Sequence, residues 1–75
     1  MGFMSIDEVR KKFKGKKSDF IKGYFDGYNN PKRSMNEVNN VLSSGKYKDL
    51  SDKTKDFVDG KAQGVEDREK SFIVK

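Results

Sequence analysis

The sequence predicts an all-α fold, a small bundle of three to four short helices. Apolar residues recur at three- and four-residue intervals, and serines precede several of these stretches, as helix N-caps do. Strand-like composition is confined to residues 71–75. The chain has 75 residues, of which 39% are charged and 32% hydrophobic, so we expect one marginally stable domain over residues 1–75. Its tails, residues 1–4 and 71–75, are expected to fray.

The first and third helices are marked by capping boxes. Ser5 with Glu8 starts the first helix, which ends at Gly15, and Ser34 with Glu37 starts the third, which ends at Gly45. The apolar side of the first helix is predicted to consist of Ile6, Val9 and Phe13. That of the third is predicted to consist of Met35, Val38, Val41 and Leu42.

The second and fourth helices start at serines without a capping box. Ser18 opens the second helix, which ends before Pro31, and the fourth runs from Ser51 to about Lys70. The apolar side of the second helix is predicted to consist of Phe20, Ile21, Tyr24, Phe25 and Tyr28. That of the fourth is predicted to consist of Phe57, Val58, Ala62 and Val65.

These two helices contain the same pattern, D-F-(I/V)-x-G-x-x-x-G, over residues 19–27 and 56–64. A glycine inside a helix costs about 1 kcal/mol relative to alanine, so close packing must compensate for four of them. A spacing of four places both glycines of a copy on one face, where a second backbone or a ring can approach. We therefore predict two glycine-notched helices packed together, with each phenylalanine seated against the opposite glycine face. The packing residues are Phe20, Gly23, Gly27, Phe57, Gly60 and Gly64.

The net charge of +5 lies entirely in the N-terminal part of the chain. Residues 1–33 contain nine Lys/Arg and four Asp/Glu, whereas residues 34–75 contain eight of each. Such a basic run can neutralise phosphates or face an acidic protein surface, although cations at a helix C-terminus also suit the helix dipole. The candidate contact residues are Arg10, Lys11, Lys12, Lys14, Lys16, Lys17, Lys32 and Arg33.

Composition excludes most enzyme chemistry. Cys, His and Trp are absent, so thiol or imidazole catalysis and metal sites with thiolate or imidazole ligands are excluded. Aspartates 52, 56 and 59 share one helix side, but the interleaved lysines, Lys61 included, favour ion pairs on a solvated face over a metal site. We expect no catalysis, no metal and no cofactor. The absence of cysteine and of a long apolar segment predicts a cytoplasmic protein without membrane contact.

The segment Gly23-Tyr24-Phe25-Asp26-Gly27, followed by Pro31, resembles the G-Y-x-x-G element of the ribosome modulation factor group. These are small basic bacterial proteins of two helices, and residues 57–60 stand where that group has an aromatic residue and then a glycine. Unlike that group, this chain has no Trp and reads Asn-Pro-Lys at the turn. The resemblance implies contact with RNA. The residues that it places nearest the RNA are Tyr24, Lys32 and Arg33.

Three classes of binding function remain open. The first is a partner protein, bound through an aromatic-rich helical face by an inhibitor, adaptor or regulator of the kind that phages and mobile elements encode. The second is RNA or DNA, with bases stacked on tyrosines beside the basic run unless those rings form the core. The third is a homodimer formed through the glycine faces. The balanced charge of residues 34–75 slightly favours the protein partner. The candidate aromatic contacts are Tyr24, Tyr28 and Tyr47.

Overall fold

The computed structural model describes residues 4–73, with side chains for residues 4–70. This part of the chain contains four α-helices and no strand, which confirms the predicted all-α bundle. The 3₁₀ helix, Tyr47–Asp49, lies between the third and fourth α-helices. The α-helices are α1 (Ile6–Lys12), α2 (Ser18–Asn29), α3 (Pro31–Ser43) and α4 (Asp52–Ile73).

Serine side chains cap two of the four helices. The Ser5 hydroxyl accepts a hydrogen bond from the Glu8 amide (3.2 Å), and the Glu8 carboxylate accepts one from the Ser5 amide (2.9 Å), so the predicted capping box is confirmed. Ser51 caps α4 by accepting from the Thr54 amide (3.2 Å). Ser18 is already the first helical residue of α2, whose N-cap forms no side-chain hydrogen bond.

The predicted start of α3 at Ser34 is wrong, because the helix begins at Pro31. Proline suits the first helical position, since its missing N–H has no partner there in any helix. Asn30 alone separates α2 from α3. Ser34 is fully buried, and its hydroxyl donates to the backbone carbonyl of Asp26 (3.3 Å), so it joins the two helices at their turn.

Gly45 follows the C-cap of α3 as predicted, whereas α1 ends at Lys12, three residues before the predicted end at Gly15. Gly15 (φ 95°) and Gly45 (φ 73°) have the left-handed backbone conformation that glycine tolerates best. The amide of Gly45 donates to the carbonyl of Leu42 (3.3 Å). Leu42 was expected on the apolar side of α3, but its side chain is 57% exposed. Only Val38 of that predicted stripe is fully buried.

Helices α2 and α4 form the largest interface of the bundle and run parallel. A Cβ built on Gly23 would lie 2.9 Å from the carbonyl carbon of Phe57, and one on Gly27 would lie 2.9 Å from that of Lys61. Real Cβ atoms essentially never approach a neighbouring atom so closely. Any larger residue would therefore push the two helices apart, and the predicted packing of two glycine-notched helices is confirmed.

The second copy of the repeat makes the equivalent contacts in return. Gly60 lies against the backbone of Phe20, and Gly64 lies against the backbone of Tyr24. The two copies are therefore related by an approximate twofold axis that runs between α2 and α4. Phe20 and Phe57 meet the opposite glycines as predicted, but through their backbone carbonyls rather than through their rings.

The core continues from α2 toward α1. Val9, Ile21 and Tyr24 form a buried cluster, and half-buried aromatic and aliphatic side chains pack against it. The N-terminal end is held by Asn29, whose side-chain amide forms two 3.0 Å hydrogen bonds with the backbone of Met4.

No helix within the described residues is both long enough and apolar enough to cross a bilayer. Helix α4 extends to Ile73, so its backbone continues beyond the predicted end near Lys70. The expected fraying at residues 1–3 and 74–75 falls outside the described residues.

Candidate functional site

All eight basic residues predicted to contact a partner are exposed, but three of them already have acidic partners from other helices or turns. Lys12 lies 3.7 Å from the Asp67 carboxylate, and Lys17 lies 3.7 Å from that of Asp56. Arg33 lies 2.5 Å from the carboxylate of Asp26. These three cations therefore already form ion pairs between different elements of the bundle.

The other five remain available to an external anion. Lys11, Lys14 and Lys32 form no ion pair with another described residue. The Arg10 guanidinium lies 3.7 Å from Asp7, but both side chains are well exposed, so the pair is weak. The ammonium of Lys16 lies 5.4 Å from the centre of the Phe20 ring, and no carboxylate among the described side chains pairs with it.

Three basic residues line a groove between α1 and α2, which we name the α1–α2 groove. Arg10 comes from the last turn of α1, Lys16 from the following turn and Lys22 from α2. The groove has a volume of about 160 Å³, and none of its lining residues is acidic. Lys22 was missing from the predicted contact set, because it lies outside the Arg10–Lys17 run. The remaining lining residues are Ile6, Ser18 and Ile21.

The predicted aromatic contacts are largely unavailable. Tyr24 is fully buried, so the expectation that it contacts RNA or stacks on bases is wrong. Tyr28 is half-buried, with the Arg68 guanidinium 5.3 Å from its ring centre. The half-buried Tyr47 donates a 2.8 Å hydrogen bond to Asp59, which raises the pKa of the Tyr47 hydroxyl.

The buried Tyr24 hydroxyl belongs to a polar network that joins three helices. It donates to the carboxylate of Asp67 (2.5 Å) and accepts from the ammonium of Lys12 (3.3 Å). Burial, and then the bond to Asp67, raise the pKa of Tyr24 well above its ordinary value. Partial burial alone would raise the pKa of Asp67, but the hydrogen bonds from Tyr24 and Gln63 (2.9 Å) outweigh it and lower that pKa.

A second network surrounds Lys61, which was predicted to lie on a solvated face. That prediction is wrong, because Lys61 is only 8% exposed and its ammonium lies between Glu37 on α3 and Asp26 on α2. The distance to Asp26 is 3.3 Å. Burial of Asp26 would raise its pKa, but the hydrogen bond and charge of Lys61, followed by those of Arg33, lower it.

An apolar concavity lies between α3 and α4, and we name it the α3–α4 groove. It encloses about 430 Å³, within the range of roughly 300–1,000 Å³ that small-molecule sites occupy. Pro31, Met35 and Val65 supply apolar surface. The polar lining residues are Lys32, Asn36, Arg68 and Glu69.

The aspartates of α4 do not converge. Asp56 faces Lys17 and Asp59 accepts from Tyr47, so each is bound to a separate element. Among the residues with described side chains, no group of three potential ligands is placed to hold a metal ion.

Comparison with known proteins identifies no relative of this chain. No protein-family model, no curated protein and no solved structure matches the chain. The resemblance to the ribosome modulation factor group stays a prediction, and the case for function depends on the α1–α2 groove, the α3–α4 groove and the exposed cations.

Proposed function

We propose that this chain is a non-catalytic, cytoplasmic nucleic-acid-binding protein that attaches to phosphate groups through one basic surface. We define the basic surface as the exposed cations of α1, the turn after it and the start of α2 that form no ion pair with another helix. The observation that carries the proposal is that three of them, Arg10, Lys16 and Lys22, line the acid-free α1–α2 groove. Cations placed in this way attract a polyanion and displace its bound counterions. The members of the basic surface are Arg10, Lys11, Lys14, Lys16 and Lys22.

The state of the aromatic residues supports phosphate contacts rather than contacts with bases. None of the seven aromatic residues whose side chains the structure describes is classed as exposed, so none offers a fully exposed ring for stacking. Phosphate contacts position a protein on nucleic acid but carry no sequence information. We therefore expect little sequence preference, and no preference for single strands over duplexes.

The dependence of affinity on salt tests this proposal. If the five cations of the basic surface each neutralise one phosphate, the logarithm of the association constant for duplex DNA should fall against the logarithm of salt concentration with a slope of about −4.5. Lys11→Gln should reduce the slope by about one. Lys53→Gln removes the same charge from an exposed position on α4 and should leave the slope unchanged. Lack of binding to duplex DNA and RNA, or a flat response to salt, would overturn the proposal.

The α3–α4 groove favours a second candidate, a regulator or inhibitor that docks on a partner protein. Its apolar residues, Pro31, Met35 and Val65, could receive an apolar side chain from a helix of the partner. An acidic residue next to that side chain could pair with the free Lys32. Leu42 is the only exposed large hydrophobic residue among the described side chains. These residues therefore form no exposed aromatic face of the kind expected from the sequence, and this candidate depends on the α3–α4 groove alone.

Affinity capture from a bacterial lysate separates the two candidates. A protein that remains bound after nuclease treatment, is lost with Met35→Asp and is retained with Lys11→Gln would support docking in the α3–α4 groove. Loss of all captured species on nuclease treatment would support the nucleic-acid proposal.

The homodimer alternative needs a different surface or an exchange of helices. The glycine faces of α2 and α4 already contact each other within one chain. A dimer formed through those faces would have to swap α4 between copies. A melting temperature that rises with protein concentration would support such a dimer.

A further inference from the structure

We infer that the α1–α2 groove is a binding site for a single phosphate group, the point at which a nucleic-acid backbone is held in a fixed position on the basic surface. This inference rests on the proposed function. It specifies which part of the basic surface holds one phosphate in place, whereas the rest of that surface only attracts negative charge. Its three cations come from three consecutive parts of the chain, so the fold brings them together.

The size of the groove selects a phosphate group rather than a nucleotide. Its volume of about 160 Å³ is roughly five times the 30 Å³ that a water molecule occupies in the liquid. That is enough for a phosphate group with some of its water. It is about half the volume of the smallest ordinary ligand pockets, roughly 300 Å³, so a base and sugar would have to remain outside.

The chemistry of the lining also matches a phosphate. Arg10 can donate two parallel hydrogen bonds to phosphate oxygens, while Lys16 and Lys22 supply compact charges. The Ser18 hydroxyl adds a neutral donor. Ile6 and Ile21 add apolar surface to the lining, and charge interactions are stronger beside such surface than in open water.

These cations form few interactions within the described part of the chain that a bound phosphate would have to replace. Among the residues with described side chains, Arg10 is paired only with the exposed Asp7 and Lys22 forms no ion pair. The Phe20 ring leaves the charge of Lys16 uncompensated. A bound phosphate therefore need not displace a buried partner, in contrast to the situation at Lys12 or Lys17, whose acidic partners are partly buried.

Titration of the full chain with inorganic phosphate tests the site directly. At low ionic strength, amide NMR shifts should cluster at Ser18, Ile21 and Lys22. Lys22→Gln should weaken phosphate binding about tenfold, as loss of one charge-assisted hydrogen bond predicts. Lys14→Gln, the matched control on the same basic surface, should weaken it less than about twofold, because an exposed charge outside the groove is screened.

Arg10→Gln provides an independent variant, with the same expected loss as Lys22→Gln. Both side chains are exposed, so circular dichroism should show an unchanged helical fold. Shifts scattered along the basic surface, or equal losses in Lys22→Gln and Lys14→Gln, would overturn the inference.

A parallel titration with short duplex DNA separates this inference from the proposed function. A larger loss of DNA affinity in Lys22→Gln than in Lys14→Gln supports the phosphate site within a nucleic-acid-binding protein. Equal losses in DNA affinity, with no clustered phosphate shifts, overturn the site but leave the proposed function standing. Clustered phosphate shifts without any DNA or RNA binding overturn the proposed function and leave the site standing.

Discussion

Gly64 lies against the backbone carbonyl of Tyr24, so closely that a Cβ built on Gly64 would be 2.5 Å from the carbonyl oxygen. The Tyr24 side chain crosses the same interface to donate its hydrogen bond to Asp67 on α4. Around the approximate twofold axis, Gly27 lies against Lys61, whose ammonium crosses back to Asp26 on α2. The glycines therefore bring the helices close enough for both buried polar groups to reach carboxylates on the opposite helix.

Gly27→Ala should destabilise the protein far more than Gly45→Ala. The added Cβ at Gly27 meets the backbone of Lys61. At Gly45 the Cβ has open space around it, and only the left-handed backbone conformation disfavours alanine. We expect losses of about 3 kcal/mol at Gly27 and about 1 kcal/mol at Gly45. For a chain of this length, the larger loss lowers the melting temperature by roughly 12–24 °C. Equal melting temperatures for the two variants would contradict the close-packing account.

Lys61→Met should destabilise the protein, and Glu37→Gln should reduce that effect. Methionine retains the packing of the stem but leaves two carboxylates, those of Asp26 and Glu37, without their shared cation. A double-mutant cycle of Lys61→Met and Glu37→Gln, measured by urea unfolding, should give a coupling energy of about 1 kcal/mol. Strict additivity would show that this ion pair does not contribute to the fold.

The free energy of unfolding should fall in acid because two half-buried aspartates have lowered pKa values. The pKa values of Asp26 and Asp67 both lie below their ordinary 3.8 in the folded protein. Their contribution is therefore complete above the unfolded-state pKa and is lost as the pH falls through the folded-state values. Chemical unfolding should show constant stability between about pH 5 and pH 9 and a decline below this range. Asp26→Asn should flatten the decline, and an unchanged profile would count against the Lys61 network.

Tyr24→Phe should cost about 1–2 kcal/mol. The substitution keeps the buried ring but removes the hydroxyl between Lys12 and Asp67, so the partly buried carboxylate loses a donor. Thermal unfolding monitored by circular dichroism measures the loss. Tyr47→Phe is the matched control, since its hydroxyl also contacts an aspartate but from a more accessible site, and it should cost less. The reverse order would contradict the assignment of Tyr24 to the core network.

The sequence predicted the glycine interface because its physical signal is local and repeated. It missed the burial of Lys61, since a lysine between aspartates is typical of a solvated helix face. The repeat itself contained the missing signal, because Lys61 occupies the position that Tyr24 occupies in the first copy. Tyr24 and Lys61 are related by the approximate twofold axis, and both are buried.

The error at Ser34 has a different cause. Ser34 and Glu37 match a capping box by spacing, but Pro31 starts the helix earlier, and both side chains instead form tertiary contacts with α2 and α4. Lys22 was overlooked because the α1–α2 groove is formed by chain folding rather than by adjacent residues. Local patterns cannot reveal such a site.

The central claim is that α2 and α4 pack in parallel, because this contact is the largest in the bundle. Inter-residue NOEs in the uniformly labelled chain test it most directly. The account predicts contacts from the α-protons of Gly27 to Lys61 and from those of Gly64 to Tyr24. A helical, folded chain that instead pairs Gly27 with Phe57 and Phe20 with Gly64, as antiparallel helices would, contradicts the account.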